Sequence, residues 1–222
     1  MKRGIRVKHV GRLTNAVLCL VILGTIAPGP AAAAGSADEV TVLVLMSDRH
    51  GAYFSYVRDQ MELYGWDFTF AGVTDSVSNC YWGEPFTVDT LVSELGDVSG
   101  YDCLLIAQSQ AYLGQANEQL LSSPAALDLV RRAVGDSLLV VAICGGTRVL
   151  AAADVIEGRQ VTGYATYSQE YINAGAVWMG EAVPPVLDGN ILTSSKGHYY
   201  SHQICEAMRS AVDSLRVARG RR

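Results

Sequence analysis

The stretch that most constrains this chain runs from Asp136 to Ile156. An apolar run, Leu138-Leu139-Val140-Val141-Ala142-Ile143, stops at Cys144; Gly145 and Gly146 follow, and then an apolar-periodic segment begins. Such a pattern predicts strand, sharp turn and helix, and an unbroken apolar run suits a central parallel strand covered on both faces. The two glycines allow a tight turn and close backbone approach. A cysteine at that corner is placed beside the free N–H groups of the next helix, which favour a thiolate. The same layout presents a serine in the nucleophile elbow of open-sheet hydrolases. A glycine-flanked cysteine is more often an inert, buried thiol, so the remainder of the chain has to decide.

The first 34 residues read as an export signal. Lys2, Arg3, Arg6, Lys8 and Arg12 precede an uncharged apolar stretch over residues 13–27, and Ala32-Ala33-Ala34 offers a small-residue cleavage site. The apolar core is short for a membrane span. Cleavage after Ala34 leaves one domain, residues 35–222, with no stable membrane span, destined for the periplasm or the exterior. The full chain carries 17 Lys plus Arg against 22 Asp plus Glu, a net charge of −5, and the leader removes only basic residues. The remainder is therefore more acidic, which disfavours nucleic acid as a partner. The closing cluster Arg216, Arg219, Arg221 and Arg222 reads as a solvated tail. Cys80, Cys103, Cys144 and Cys205 remain; Cys103 and Cys205 read as buried free thiols, and a disulfide through Cys80 stays open.

Along the chain, residues 40–46 read as a strand, 53–63 as a helix stopped by Gly65, and 66–71 as a second strand. That βαβ order implies a parallel sheet with right-handed crossovers. Residues 72–84, with Cys80 and Trp82, form a surface excursion. Asp89 is placed to cap a short helix through Glu94. A buried strand over 101–107 ends at Gln108-Ser109, and a short helical stretch over 116–121 precedes a helix started by Pro124. After the elbow, a helix is expected over 147–156, an edge element over 160–163, a helical turn over 168–174 and a strand over 176–178. Residues 186–193 read as a hairpin turning at Asp188-Gly189, and 200–217 as an amphipathic helix. No repeat or second-domain signal is present.

Ala142-Ile143-Cys144-Gly145-Gly146, Tyr171-Ile172-Asn173-Ala174-Gly175-Ala176-Val177-Trp178 and the following Leu187 to Ser195 segment together resemble the ThiJ/PfpI family of the class I glutamine-amidotransferase-like superfamily. The resemblance spans about residues 40–218. It implies a flavodoxin-like three-layer α/β sandwich with a mostly parallel central sheet, a cysteine nucleophile elbow, and a homodimer. Activities among such relatives include peptidase, chaperone, glyoxalase and deglycating functions, so fold alone does not select the reaction. Three positions depart from the family pattern. The glutamate that normally approaches the cysteine aligns with His50, or with Asp48 after a slip. The histidine that follows the cysteine in peptidase-like members is Gly145. The usual glycine pair before the elbow is Gln108-Ser109.

These residues define the expected site. Cys144 is the candidate nucleophile and His50 its proton-exchanging partner, oriented by Asp48. Backbone N–H groups of Gly145 and Ser109 supply an oxyanion pocket, and Gln108, Tyr164 and His198 complete the walls. For each there is a plainer reading: His50 and His198 as polar loop residues, Tyr164 as packing. His198 and His202 have the i,i+4 spacing of a metal pair, but no third ligand has diagnostic spacing, so neither metal nor cofactor is expected. The resulting reading is a cysteine-dependent hydrolase or a glyoxalase- or deglycase-like enzyme acting on small carbonyl or amide compounds, not a peptidase. The alternative is a non-catalytic small-ligand-binding or structural domain that keeps the elbow cysteine.

Overall fold

The computed structural model describes residues 39–51, 53–78, 85–109 and 116–220, which belong to one compact unit spanning 33–222. The export segment, Cys80 and Trp82 lie outside the described residues. In chain order the elements are β1 (Thr41–Met46), α1 (Phe54–Leu63), β2 (Asp67–Gly72), β3 (Ser76–Ser78), β4 (Pro85–Thr87) and β5 (Thr90–Leu91). Next come β6 (Cys103–Ile106), α2 (Glu118–Leu121), α3 (Pro124–Gly135), β7 (Leu139–Ile143) and α4 (Thr147–Ala152). The chain closes with β8 (Gln160–Val161), α5 (Ser168–Asn173), β9 (Val177–Trp178), β10 (Val186–Asp188), β11 (Ile191–Ser194) and α6 (Gly197–Ala218).

Seven strands form the main sheet in the order β10-β11-β7-β6-β1-β2-β5, parallel throughout except for the β10–β11 hairpin. Alternation along each central strand splits its apolar side chains between two cores, because successive side chains point to opposite faces. Leu43, Leu45, Val140 and Ala142 pack toward Leu129, Val130, Val149 and Tyr171, on the side of α3, α4 and α5. Val42, Val44, Met46, Val141 and Ile143 pack toward Val57, Met61, Ile204 and Met208, on the side of α1 and α6. Both faces of the sheet are therefore dry, which is why β1, β6 and β7 are written as continuous apolar runs. The three-layer α/β sandwich with a mostly parallel sheet is the expected one.

Because the chain winds outward from β1 to β2 and β5, then returns to β6 and β7, the strand order reverses between β1 and β6. Open α/β sheets place their ligand crevice at the carboxyl ends of the strands beside that reversal. An antiparallel bridge between His50 and Ser109 spans this point, and the Gly51 N–H donates to the Gln108 carbonyl at 2.8 Å.

Several boundaries differ from the sequence expectation. Asp89 caps no helix: its carboxylate accepts the Phe70 N–H at 2.7 Å, fastening the edge of β2, and residues 92–94 form only a 3-10 turn. The helix after the elbow is one and a half turns long, ending before Asp154, whose φ is +56°. Residues 160–161 and 177–178 pair with each other in a separate two-stranded sheet. The last helix begins at Gly197 and carries non-helical backbone at Tyr200, so His198 lies in its first turn.

Candidate functional site

Cys144 follows the last residue of β7 and opens a 3-10 turn over residues 144–146. Its φ is +56°, in the left-handed region that a non-glycine residue enters only at a cost of roughly 1–2 kcal/mol. The strain sits on the cysteine itself rather than on the glycines. Those are needed for close approach: a Cβ on Gly145 would lie 2.7 Å from the Ala116 Cβ, and one on Gly146 2.9 Å from the Ile106 carbonyl oxygen. Both exceed what packing tolerates, so the elbow holds its cysteine at the sheet's carboxyl edge between two positions closed to side chains.

Cys144 is partly accessible, yet burial pushes its thiol up to about 11; the Gly145 N–H, hydrogen-bonded to the sulfur, and the nearby Lys196 pull the other way, while Glu181 adds to the rise. The free protein thus holds a neutral thiol at neutral pH. This is the opposite of the thiolate expected from the helix terminus. The physical reason is that α4 is short and the sulfur packs against the apolar layer of α1 and α6, so desolvation outweighs a weak dipole.

His50 and Asp48 occupy the loop after β1, but no hydrogen bond joins His50 to Cys144 among the described residues. The His50 N–H donates to the Ser78 carbonyl, its ring meets Phe86 edge-on at 6.1 Å, and its Nδ1 is buried without a partner. Burial holds the imidazole below its ordinary pKa, with Arg58 acting in the same direction and Asp48 against it. Asp48 accepts both the N–H and the hydroxyl of Ser78 at 2.7 Å; although burial alone would raise its carboxyl, these bonds hold it below the usual carboxylate range. Ser109 is buried, and its hydroxyl accepts the backbone N–H of Asn117. The Gln108 side chain is packed between Gly51 and Gly197. Tyr164 reaches the elbow through its main chain, its N–H donating to the Cys144 carbonyl at 3.4 Å. His198 stacks on Tyr53 and meets Tyr199 at a tilt, each at 4.2 Å, and burial, helped by Lys196, lowers its pKa. It does not meet His202, whose ring contacts Glu206 and Tyr64.

Three neighbours of the elbow went unread in the sequence. Glu181 arrives from the β9–β10 connection, where its carbonyl accepts the Ser195 hydroxyl at 2.6 Å, and Lys196 precedes α6. Asn117 is completely buried, has a φ of +59°, and lies against Gly145. Each is more than ten residues from Cys144, so spacing carried no signal; only the tolerance of asparagine for left-handed backbone hinted at the third.

An open parallel sheet with a strained cysteine elbow beside its strand-order reversal defines a class of cysteine-elbow α/β proteins. Residues 40–208 match the DJ-1/PfpI family, and the chain belongs to it. It is 34% identical over 120 residues to Protein DJ-1 homolog D of Arabidopsis thaliana, covering 52% of this chain and 29% of that protein. It is 32% identical over 112 residues to Putative cysteine protease YraA of Bacillus subtilis (50% and 62%) and 33% identical over 81 residues to Deglycase PH1704 of Pyrococcus horikoshii (36% and 48%). The matches thus span less than two thirds of each relative's own length. Among solved structures, a ThiJ/PfpI domain protein from Brachyspira murdochii superposes with a TM-score of 0.68 at 18% identity, covering 79% of this chain and 98% of that one.

Proposed function

We propose that this protein is a cysteine-dependent enzyme acting on small carbonyl compounds, of glyoxalase or deglycase type, with Cys144 adding to the substrate carbon. The observation that carries this reading is the left-handed backbone at Cys144, strain retained at the nucleophilic residue of the elbow. Relatives named deglycases support it, among them those of Pyrococcus horikoshii, Pyrococcus furiosus and Thermococcus kodakarensis. The attacking species is the thiolate, so the thiol proton must leave sulfur as the S–C bond forms, and it ends on the oxygen created. His50, kept neutral by burial, is proposed as a proton acceptor reached through substrate or water, with Asp48, Gln108, Tyr164 and His198 around the entrance and the Gly145 and Ser109 N–H groups as donors. Peptidase action is not proposed, because packing of Ala116 on Gly145 leaves no room there for a second functional side chain.

The test is turnover of a small 2-oxoaldehyde, followed by loss of the aldehyde and appearance of the 2-hydroxy acid formed from it by addition of one water. Turnover in the wild type that disappears in Cys144→Ala is expected. Equal traces from both proteins would leave the binding-domain reading, which the absence of a hydrogen-bonded base at the thiol among the described residues favours. Export and homodimerisation belong to the same proposal, the first from the leader sequence and the second from the family.

A further inference from the structure

Asn117 is buried completely, and among the described residues neither its Oδ1 nor its Nδ2 has a hydrogen-bond partner. A carboxamide in that state is unfavourable and needs an explanation. Its backbone is fixed: the N–H donates to the Ser109 hydroxyl, and the carbonyl accepts the Leu121 N–H at 2.9 Å. The preceding residue is fastened to α4, because Arg148 donates to the Ala116 carbonyl at 2.8 Å. Arg148 is itself held by Glu118 and Glu170 and lies over the Tyr167 ring at 4.2 Å. This clamp presses Ala116 and Asn117 onto the elbow, so that Nδ2 stands 3.8 Å from where a Gly145 Cβ would be. The Gly145 N–H is also the group that acts to lower the pKa of the Cys144 thiol. An unpartnered amide is therefore held beside Gly145, the residue next to the reacting thiol.

We propose that Asn117 contacts the substrate, its Nδ2–H donating to the oxygen created when Cys144 adds to a carbonyl. The proposal rests on the carbonyl chemistry argued above. In that step the sulfur–carbon bond forms, the carbonyl π electrons move to oxygen, and the thiol proton ends on that oxygen. The product is a hemithioacetal, and nothing is oxidised or reduced. A donor held in place beside the growing charge needs little reorganisation at the moment of reaction. Asparagine suits such a place because it donates without titrating.

The experiment compares wild type, Asn117→Gly and Asn117→Asp in adding a 2-oxoaldehyde labelled with ¹³C at its aldehyde carbon. The adduct is followed by NMR, with Cys144→Ala as the blank. Glycine keeps the left-handed backbone accessible and removes the donor, and aspartate keeps the shape but donates only when protonated. Aldehyde addition is expected to slow by about a hundredfold in both variants. Iodoacetamide alkylation of Cys144, a displacement that creates no oxyanion, is expected to stay within about twofold of wild type in Asn117→Gly, as a structural role would not allow. Unchanged aldehyde addition in Asn117→Gly, or a fall in its alkylation equal to the fall in addition, would each overturn the role of Asn117. A wild type that forms no adduct at all would instead overturn the carbonyl chemistry itself, and with it any oxygen for Asn117 to meet.

Discussion

At Cys144 two burdens coincide, a left-handed backbone and a desolvated thiol. The first has a stability consequence. Cys144→Gly removes the steric conflict of the Cβ while Cys144→Ala keeps it, so the glycine variant is expected to be the more stable by about 1 kcal/mol in chemical denaturation. The second has a kinetic one. With the thiol pushed up to about 11, thiolate is scarce at neutral pH and grows with pH until that value. Alkylation of Cys144 in the free protein should therefore climb about tenfold per pH unit between 7 and 10, with no plateau near neutrality. His50 and Cys144 answer to different charges, Asp48 and Arg58 for the imidazole, Glu181 and Lys196 for the thiol. The pH profile of His50→Ala should accordingly overlay that of wild type, and a displaced profile would restore a direct pair. His50 has its own linkage to folding. Its folded pKa is lowered, so the unfolded chain binds the proton more readily, and stability falls as pH drops below about 6.5.

Between elements, the firmest polar tie is far from the elbow, at the amino end of β6. Asp102, only 4% exposed, accepts Arg216 Nε at 2.9 Å, Thr41 N–H at 3.1 Å and the Thr41 hydroxyl at 3.0 Å. Arg219 approaches it at 3.9 Å. Arg216 and Arg219, read as part of a solvated tail, thus return to the sheet and fix the end of α6 against β1 and β6. Asp102→Ala takes the carboxylate from a half-buried guanidinium and two Thr41 donors, and should cost roughly 3 kcal/mol in urea unfolding. Burial alone would raise this carboxyl, but Arg216 and Thr41 hold it below its ordinary value, so its contribution is present above about pH 4 and lost as pH falls through the folded pKa. The sequence did reveal β7, its elbow and the β10–β11 hairpin, because a strand dry on both faces and a left-handed Gly189 leave local signatures. Asp89 misled because a capping residue and a carboxylate bonded to a neighbouring strand look alike in one dimension. Asn117, Glu181 and Lys196 escaped because only the crossover connections bring them to Cys144.

For the molecule as a whole, the leader and the elbow bear on each other. No helix among the described residues is long and apolar enough to cross a membrane, and residues 1–34 lie outside that set, so the export proposal rests on the order of charge, apolar core and small residues in the sequence. An exported cysteine enzyme meets an oxidising compartment, where low-pKa thiolates are the first to be lost. A thiol kept protonated by burial resists that attack until a substrate occupies the site. Both halves are open to measurement. Expressed with its leader in a bacterium, the protein should be recovered outside the cytoplasm with an amino terminus near Gly35, and Leu20→Arg, which breaks the apolar core of the leader, should hold it back. The exported form should keep Cys144 alkylatable after exposure to peroxide at neutral pH, while the same treatment at pH 10 inactivates it. Intact residues 1–34 on a soluble cytoplasmic product would sink the export proposal, and loss of Cys144 to peroxide at equal rates at both pH values would show that burial does not protect it.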